Sequence, residues 1–420
     1  MSGAQDLRSR WELTFGGVAT ASASVVGLSF GPSVIGVLSF GVFIRPIEDA
    51  FGWSRVDVSV ALTIITYAIL LVSPIQGALV DRFGSRRIVL TSIPMFALAV
   101  AMFYFLPANL LVFYVLAALI PILGFGLLPL SYLQAVSRWF DRRLGIALGI
   151  ANSGIGVGST VVPLIASALM IAYGWREAFL GLAAIVLLVT WPVAYFGLRE
   201  PGTGTQSGAA PGSGGTPTFG LTFAESARQP AFRILIAVFL VLGLSTTGLI
   251  TQLVPMLIDA GWSPARAAGV MSIFGAAMMI ARIGVGILID YVFAPLVMMV
   301  ITLGAALSCL LFATMPAAAF VSAALLGFLV GAEFDVLAFL IKRYFGTIAF
   351  GRLYGTIFAA FQLASGIGIT LLSMSQSHFG DYTVGLYVLT VLLIACASIQ
   401  TLLGTYRYGP DSGPVISGEK

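Results

Sequence analysis

Three charged side chains fall where charge is costly. Arg282, Glu333 and Asp335 lie inside long apolar runs, away from the polar stretches that separate those runs. A guanidinium keeps its proton in any protein environment, and its planar fork matches a carboxylate. A carboxyl group withdrawn from water favours its protonated form unless it is paired, which makes it a natural proton carrier. One fixed cation beside two titratable acids can hold an organic anion and pass a proton. It can also form a structural ion pair, Arg282 with Glu333 or Asp335, and the two uses can alternate within one cycle.

The elements that must position these groups are membrane-spanning helices. Hydrophobic residues make up 59% of the 420-residue chain and charged residues 9%, against roughly 25% charged in a soluble domain. Too few charges remain to build a water-facing surface. Apolar runs of about 20 residues, enough to cross the hydrocarbon core, recur at 14–44, 57–80, 88–106, 110–137, 144–172, 177–198, 231–259, 264–289, 295–314, 317–341, 350–376 and 382–405. Lipid offers backbone polar groups no partner, so these runs read as helices; the short alternating segments of a β-barrel are missing. The expected fold class is an all-α integral membrane protein of twelve transmembrane helices.

Depth follows from helix geometry. Arg282 precedes Asp290, at the end of the eighth span, by about 12 Å of helix, and the half-thickness of the core is about 15 Å. Arg282 is therefore expected near the midplane, where a charge costs at least ~2.5–3.5 kcal/mol. Glu333 and Asp335 fall near the middle of the tenth span and point roughly 200° apart around it, so they cannot face one centre equally.

Charge placement sets the expected topology. Of the 21 Lys and Arg residues, only Arg45, Arg55, Arg176 and Arg266 fall outside when the N-terminus is inside, and Arg282 lies within a span. This bias follows the positive-inside rule and places both termini in the cytoplasm. The net charge of +4 thus reflects topology and points to no nucleic-acid partner. Cys309 and Cys396 sit in apolar spans and read as small core residues. His378, the single histidine, falls at the outer end of the eleventh span and reads as a solvated loop residue. No cleavable leader is apparent in the polar residues 1–13. No Walker loop or metal-ligand cluster is present, so the expectation is a non-enzyme without metal or cofactor.

The chain divides into related halves. Residues 201–218 are almost entirely Gly, Ser, Thr, Pro, Ala and Gln, a flexible composition. The expected organisation is a six-helix bundle at 1–198, a cytoplasmic linker at 199–230, a second bundle at 231–405 and a short tail at 406–420. Phe51-Gly52-Trp53-Ser54 precedes the second span and Gly261-Trp262-Ser263-Pro264 the eighth. The interval from Trp53 to Gly77 equals that from Trp262 to Gly286, and Gly77 to Asp81 equals Gly286 to Asp290. Arg138-Trp139-Phe140 before the fifth span is echoed by Arg343-Tyr344-Phe345 before the eleventh. In this alignment Arg282 corresponds to Ser73, so the buried charge is not shared by the halves. Duplicated halves of this kind place a substrate site near the midplane.

The stretch Gly77-Ala-Leu79-Val-Asp81-Arg82-Phe-Gly84-Ser-Arg86-Arg87 resembles the loop motif of the major facilitator superfamily. The resemblance implies the major facilitator fold and alternating access, and the chain is expected to be a monomer in a membrane (for a bacterial chain, the inner membrane). It gives Gly77, Asp81, Arg82, Gly84, Arg86, Arg87 and, by the repeat, Asp290 a role in conformational gating. Asp81 can accept hydrogen bonds from helix N-termini or arginines. The drug/proton antiporter branch fits less well: its fourth-span Arg position holds Ile120, and Gly154, Gly158 and Pro163 lack the adjacent Gly-Pro pair.

Ala281-Arg282 with Gly286 and Asp290, Gly331-Ala-Glu333-Phe-Asp335, Arg343-Tyr-Phe345-Gly346 and Phe350-Gly351-Arg352-Leu-Tyr354-Gly355 resemble the monocarboxylate transporter and oxalate/formate antiporter branch. That resemblance implies that Arg282 binds a substrate carboxylate. The chain departs from it at Met278, where an Asp is usual, in lacking a first-span Lys, and at Gln362, where the oxalate antiporters have a second basic residue. Proton coupling then falls to Glu333 or Asp335, and a single buried cation suits a substrate with one carboxylate. Tyr67, Tyr132 and Gln362 are the polar candidates to complete the site, ahead of Asn152, Thr247 and Gln252; Phe30, Met278 and Phe361 are candidate apolar lining. The expected activity is proton-coupled transport of a monocarboxylate, a small or aromatic organic acid, with oxalate/formate-like exchange of organic anions as the alternative.

Overall fold

The computed structural model describes residues 15–200 and 219–408. Its helices are α1 (Phe15–Ser29), α2 (Gly41–Phe51), α3 (Arg55–Phe83), α4 (Ser85–Ala101), α5 (Leu110–Leu123), α6 (Pro129–Trp139), α7 (Leu144–Tyr173), α8 (Trp175–Ile185), α9 (Trp191–Gly197), α10 (Phe223–Arg228), α11 (Pro230–Asp259), α12 (Pro264–Tyr291), α13 (Ala294–Thr314), α14 (Ala319–Phe345), α15 (Phe350–Phe379) and α16 (Thr383–Gln400). Eleven spans are long and apolar enough to cross a membrane, and the shorter Leu110–Leu123 supplies a twelfth apolar helix.

Two expected helices are broken. The first span gives way after Ser29, where Gly31 and Pro32 interrupt it before a π-helical turn at Ser33–Leu38 and then α2. Proline has no N–H and its ring clashes with the preceding turn. The fourth span breaks at Gly124, and a 3-10 turn at Phe125–Leu127 leads to Pro129 at the start of α6. The freed backbone groups are closed locally, as in Leu127 N–H to Gly124 O at 2.9 Å.

The chain forms two compact units. The first holds residues 15–142, 150–200 and 350–355; the second holds 143–149, 219–349 and 356–408. Each unit thus contains the opening turns of a helix whose remainder belongs to the other.

In the first unit, α7 packs on α1 through Gly154 and Gly158. A Cβ at either would strike the backbone of Val25 or Ser29, and Ser29 Oγ donates to Gly154 O at 2.9 Å. Ser54 and Asp57 form a reciprocal capping box at the start of α3. A cluster of rings closes one end of the unit, with Phe179 stacked on Phe43 at 4.1 Å and on Phe103 at 4.8 Å.

The second unit repeats the device. Gly243 and Gly248 on α11 and Gly368 on α15 face each other's helix so closely that a Cβ would meet backbone. Gly327 and Gly331 on α14 do the same against Phe274 and Met278 of α12. Lipid tails are as apolar as leucine, so helices gain most from close dispersion contact across small residues. Thr247 donates to Ser365 at 2.9 Å and Gln252 to Ser373 at 2.9 Å, joining α11 to α15. Thr247 and Gln252 therefore serve helix packing.

The expected flexible stretch 199–230 falls largely on 201–218, outside the described residues, but both its ends are structured. Trp139 donates to Arg199 O at 2.6 Å. Leu221 N–H donates to Phe345 O and Thr347 N–H to Phe219 O, each at 2.8 Å. These bonds flank a bridge between Gly220 and Gly346, both at positive φ. α10 then opens with a capping box of Thr222 and Glu225. The start of the expected tail is docked as well: Tyr406 Oη accepts from Ala294 N–H at 2.7 Å, and Tyr408 N–H donates to Arg343 O at 2.9 Å.

Gly368→Val is expected to lower thermal stability of the purified protein by ~1–3 kcal/mol through overpacking. Gly284→Ala, where a Cβ meets nothing within 4 Å, is expected to leave the melting temperature the same or raise it. Equal melting curves for the two variants would contradict the packing assignment.

Candidate functional site

Arg282 and Glu333 meet because α12 and α14 lie close. Gly327 and Gly331 remove the side chains that would hold the helices apart, and Ala281 packs on Gly331. Arg282 is 8% exposed and Glu333 2%, and Asp335, two residues further along the same helix, is also buried. The guanidinium of Arg282 interacts electrostatically with the Glu333 carboxyl. Yet Arg282 Nε and Glu333 Oε2 find no hydrogen-bond partner among the described residues. Buried polar atoms are nearly always bonded, so unbonded atoms on two oppositely charged groups make the pair a candidate site. Asp335 is engaged by other groups, and its Oδ2, like Glu333 Oε2, makes no hydrogen bond.

The other expected site residues divide between the units. Gln362 is half-buried on α15, in the second unit with Arg282. Tyr67 and Tyr132 belong to the first. Tyr67 is 49% exposed on α3. Tyr132 is fully buried with its hydroxyl unbonded, in a space left by Gly27, where a Cβ would overlap the phenol. Asn152 is buried and engaged by other groups, Phe30 and Met278 are half-buried and Phe361 is buried. His378 is exposed, its Nδ1 within 3.1 Å of Met374 O. Cys309 and Cys396 are buried thiols.

Asp81 and Asp290 have one geometry twice. Asp81 accepts the N–H groups of Gly351 at 2.8 Å and Arg352 at 2.9 Å, at the start of α15. Asp290 accepts those of Gly145 at 2.7 Å and Ile146 at 3.1 Å, at the start of α7. A helix's first N–H groups have no partner inside the helix and carry the positive end of its dipole, so a carboxylate there is doubly favoured. Glycines allow the approach: Gly77 abuts Gly351, Gly355 abuts the Ser73 carbonyl, Gly286 abuts Gly145 and Gly149 abuts the Arg282 carbonyl. Gln134 adds a third bond to Asp81 at 3.1 Å.

The motif arginines play other parts. Arg86 Nη2 donates to Tyr195 O at 2.8 Å and lies over that ring at 5.5 Å. Arg82 lies over Phe83 at 5.2 Å, and Arg87 is exposed. Gly84 has φ +84, a conformation side chains disfavour, and Glu200 occupies the space a Cβ would need. Sequence reading missed Gln134 and the glycines of α7 and α15. The signal for the glycines was available: Gly145 and Gly149, like Gly351 and Gly355, are four apart and share a helix face.

The fold and its buried charges are those of a multi-pass membrane carrier. The model of the Major Facilitator Superfamily matches residues 26–371, and the chain belongs to that family; it is a transporter and not an enzyme. Rat monocarboxylate transporter 13 is 29% identical over 381 residues, covering 88% of this chain and 85% of that protein. Human monocarboxylate transporter 11 is 30% identical over 173 residues, 41% of this chain and 36% of its own. Among solved structures, the E. coli fucose:proton symporter superposes with TM-score 0.68 at 16% identity, covering 92% of this chain and 97% of that one. The human organic anion transporter TETRAN superposes at 0.69 and 14% identity, covering 91% and 99%. At such identities these structures show the fold alone.

Asp81→Asn and Asp290→Asn are each expected to cost ~0.5–2 kcal/mol. The losses should add in the double variant, because the two caps share no partner. Thermal unfolding of the three variants in one detergent checks this, and an unchanged midpoint in either single variant would contradict that cap.

Proposed function

We propose that this transporter carries a monocarboxylate together with a proton by alternating access. The observation that carries the reading is Arg282, buried within its span, with an unbonded Nε and facing the equally buried Glu333. A lone buried cation is costly. In the empty carrier the Glu333 carboxylate balances it. Proton uptake neutralises Glu333 and leaves the guanidinium to a substrate carboxylate, whose two oxygens match its fork. Anion and proton enter together, so the buried charge stays compensated. Asp335, buried two residues along the same helix, is the second candidate for the proton. Gln362, in the same unit as Arg282, is the further hydrogen-bonding group for substrate. The similarity to proteins named monocarboxylate transporters supports this substrate class.

Gating follows from the capped helix starts. Asp81 and Asp290 hold α15 and α7 in one state, and their release accompanies the change to the other. Gly77, Gly84, Arg82, Arg86 and Arg87 shape the turn that presents Asp81. The carrier works as a monomer, in the inner membrane of a bacterium. Met278, in place of a second acid on α12, favours one further reading, exchange of organic anions without a proton.

Uptake by reconstituted protein separates these readings. Arg282→Lys is expected to reduce transport on the order of 10–100-fold, because an ammonium cannot make the paired hydrogen bonds. Glu333→Gln is expected to abolish the rise in uptake at acid external pH while leaving anion exchange. Normal uptake by Arg282→Lys removes the carboxylate anchor; pH-driven uptake that survives in Glu333→Gln removes the proton role.

A further inference from the structure

Phe334 stands between Glu333 and Asp335 on α14, and its surroundings set it apart. It is half-buried, while every other residue from 331 to 345 is buried. Phe334 is thus the one residue of this stretch of α14 that keeps an open surface. An apolar ring left open between two buried carboxylates is a surface kept for a guest.

The ring belongs to a cluster contributed by three helices of the second unit. Phe334 lies 4.9 Å from Phe361 at an interplanar angle of 72° and 5.2 Å from Phe358 at 59°. Phe239 of α11 closes the back at 6.1 Å from Phe334. Phe239 and Phe361 are buried, whereas Phe358, like Phe334, is half-buried. Two rings thus form a floor and two present open faces. Phe334, Phe358, Phe361 and Arg282 all lie roughly 12–18 Å along their helices from the same end of the bundle, counting 1.5 Å per residue. The charge that would hold a carboxylate and the rings that would hold its carbon skeleton are at one depth.

We infer that the substrate is an aromatic monocarboxylate, its carboxylate on Arg282 and its ring against Phe334 and Phe358. This rests on the carboxylate reading above and names the substrate class within it. Edge-to-face and offset ring pairs favour an aromatic guest over an aliphatic one of equal size. A short hydroxy acid such as lactate would leave both rings uncovered.

The test is binding to the purified full-length protein, with affinity measured for benzoate, phenylacetate, cyclohexanecarboxylate and lactate. Benzoate or phenylacetate should bind at least roughly tenfold more tightly than lactate or cyclohexanecarboxylate. Phe334→Leu should remove most of that preference and leave lactate affinity unchanged; Phe358→Leu provides a second variant should the first fail to fold. The inference is overturned if lactate or the saturated ring binds as well as benzoate, or if the preference survives in both variants. Should lactate binding disappear in Arg282→Gln with no aromatic preference in the parent, only the inference falls. Binding of all four acids that is indifferent to Arg282→Gln removes the carboxylate reading as well.

Discussion

A membrane interior supplies no hydrogen-bond partner, and this protein meets that constraint at every level. Backbone groups close inside helices, and where Pro32 and Gly124 interrupt a helix, short π and 3-10 turns close the local ladder. Hydroxyls and amides bond across to neighbouring helices, as Thr247 does with Ser365. Helix starts that cannot be closed from within receive a carboxylate, from Asp81 for α15 and Asp290 for α7. Arg282 and Glu333 are oppositely charged groups of one helix pair that each keep an unbonded buried atom, which makes them the candidate site.

The repeat explains how such a place arose in one unit and not in its counterpart. Ser73 and Arg282 occupy matching positions, and the backbone carbonyl of each packs against a glycine, Gly355 or Gly149. The helix packing is therefore the same in both copies. Only the side chains differ: Ser73 turns its hydroxyl back to Ile69 O at 2.6 Å, while Arg282 extends a charge with no local carbonyl to satisfy its Nε. Duplication preserved the scaffold and substitution made the site.

Much of this was legible in the sequence because the membrane makes the signal strong. Long apolar runs, the interval shared by Trp53–Gly77 and Trp262–Gly286, and the motif from Gly77 to Arg87 lead to the family without coordinates. Three things were misread or left open. The first and fourth spans read as single helices, although each contains the glycine or proline that breaks it. The linker 199–230 owed its flexible composition to 201–218, and beyond that segment Phe219–Thr222 is held against the end of α14 by backbone bonds that composition does not encode. Asp81 was open to helix N-termini or arginines; the structure gives it two backbone amides and Gln134, and turns Arg86 to Tyr195.

By itself the sequence determined the class of the protein, the number of its apolar spans and the charges that lie in mid-span, because each depends on composition and spacing along one dimension; that Lys342 and Arg343 are buried as well was decided by tertiary packing. Tertiary structure decided which charges are answered and which are not. Glu333 and Asp335 are two residues apart on one helix, and it is the packing of α12 against α14 that brings Arg282 into electrostatic range of Glu333. The same holds for Phe334, one phenylalanine among 30, which is singled out by being open where its neighbours are closed. Burial and partnership are properties of three-dimensional neighbours, and residues distant in the chain supply them.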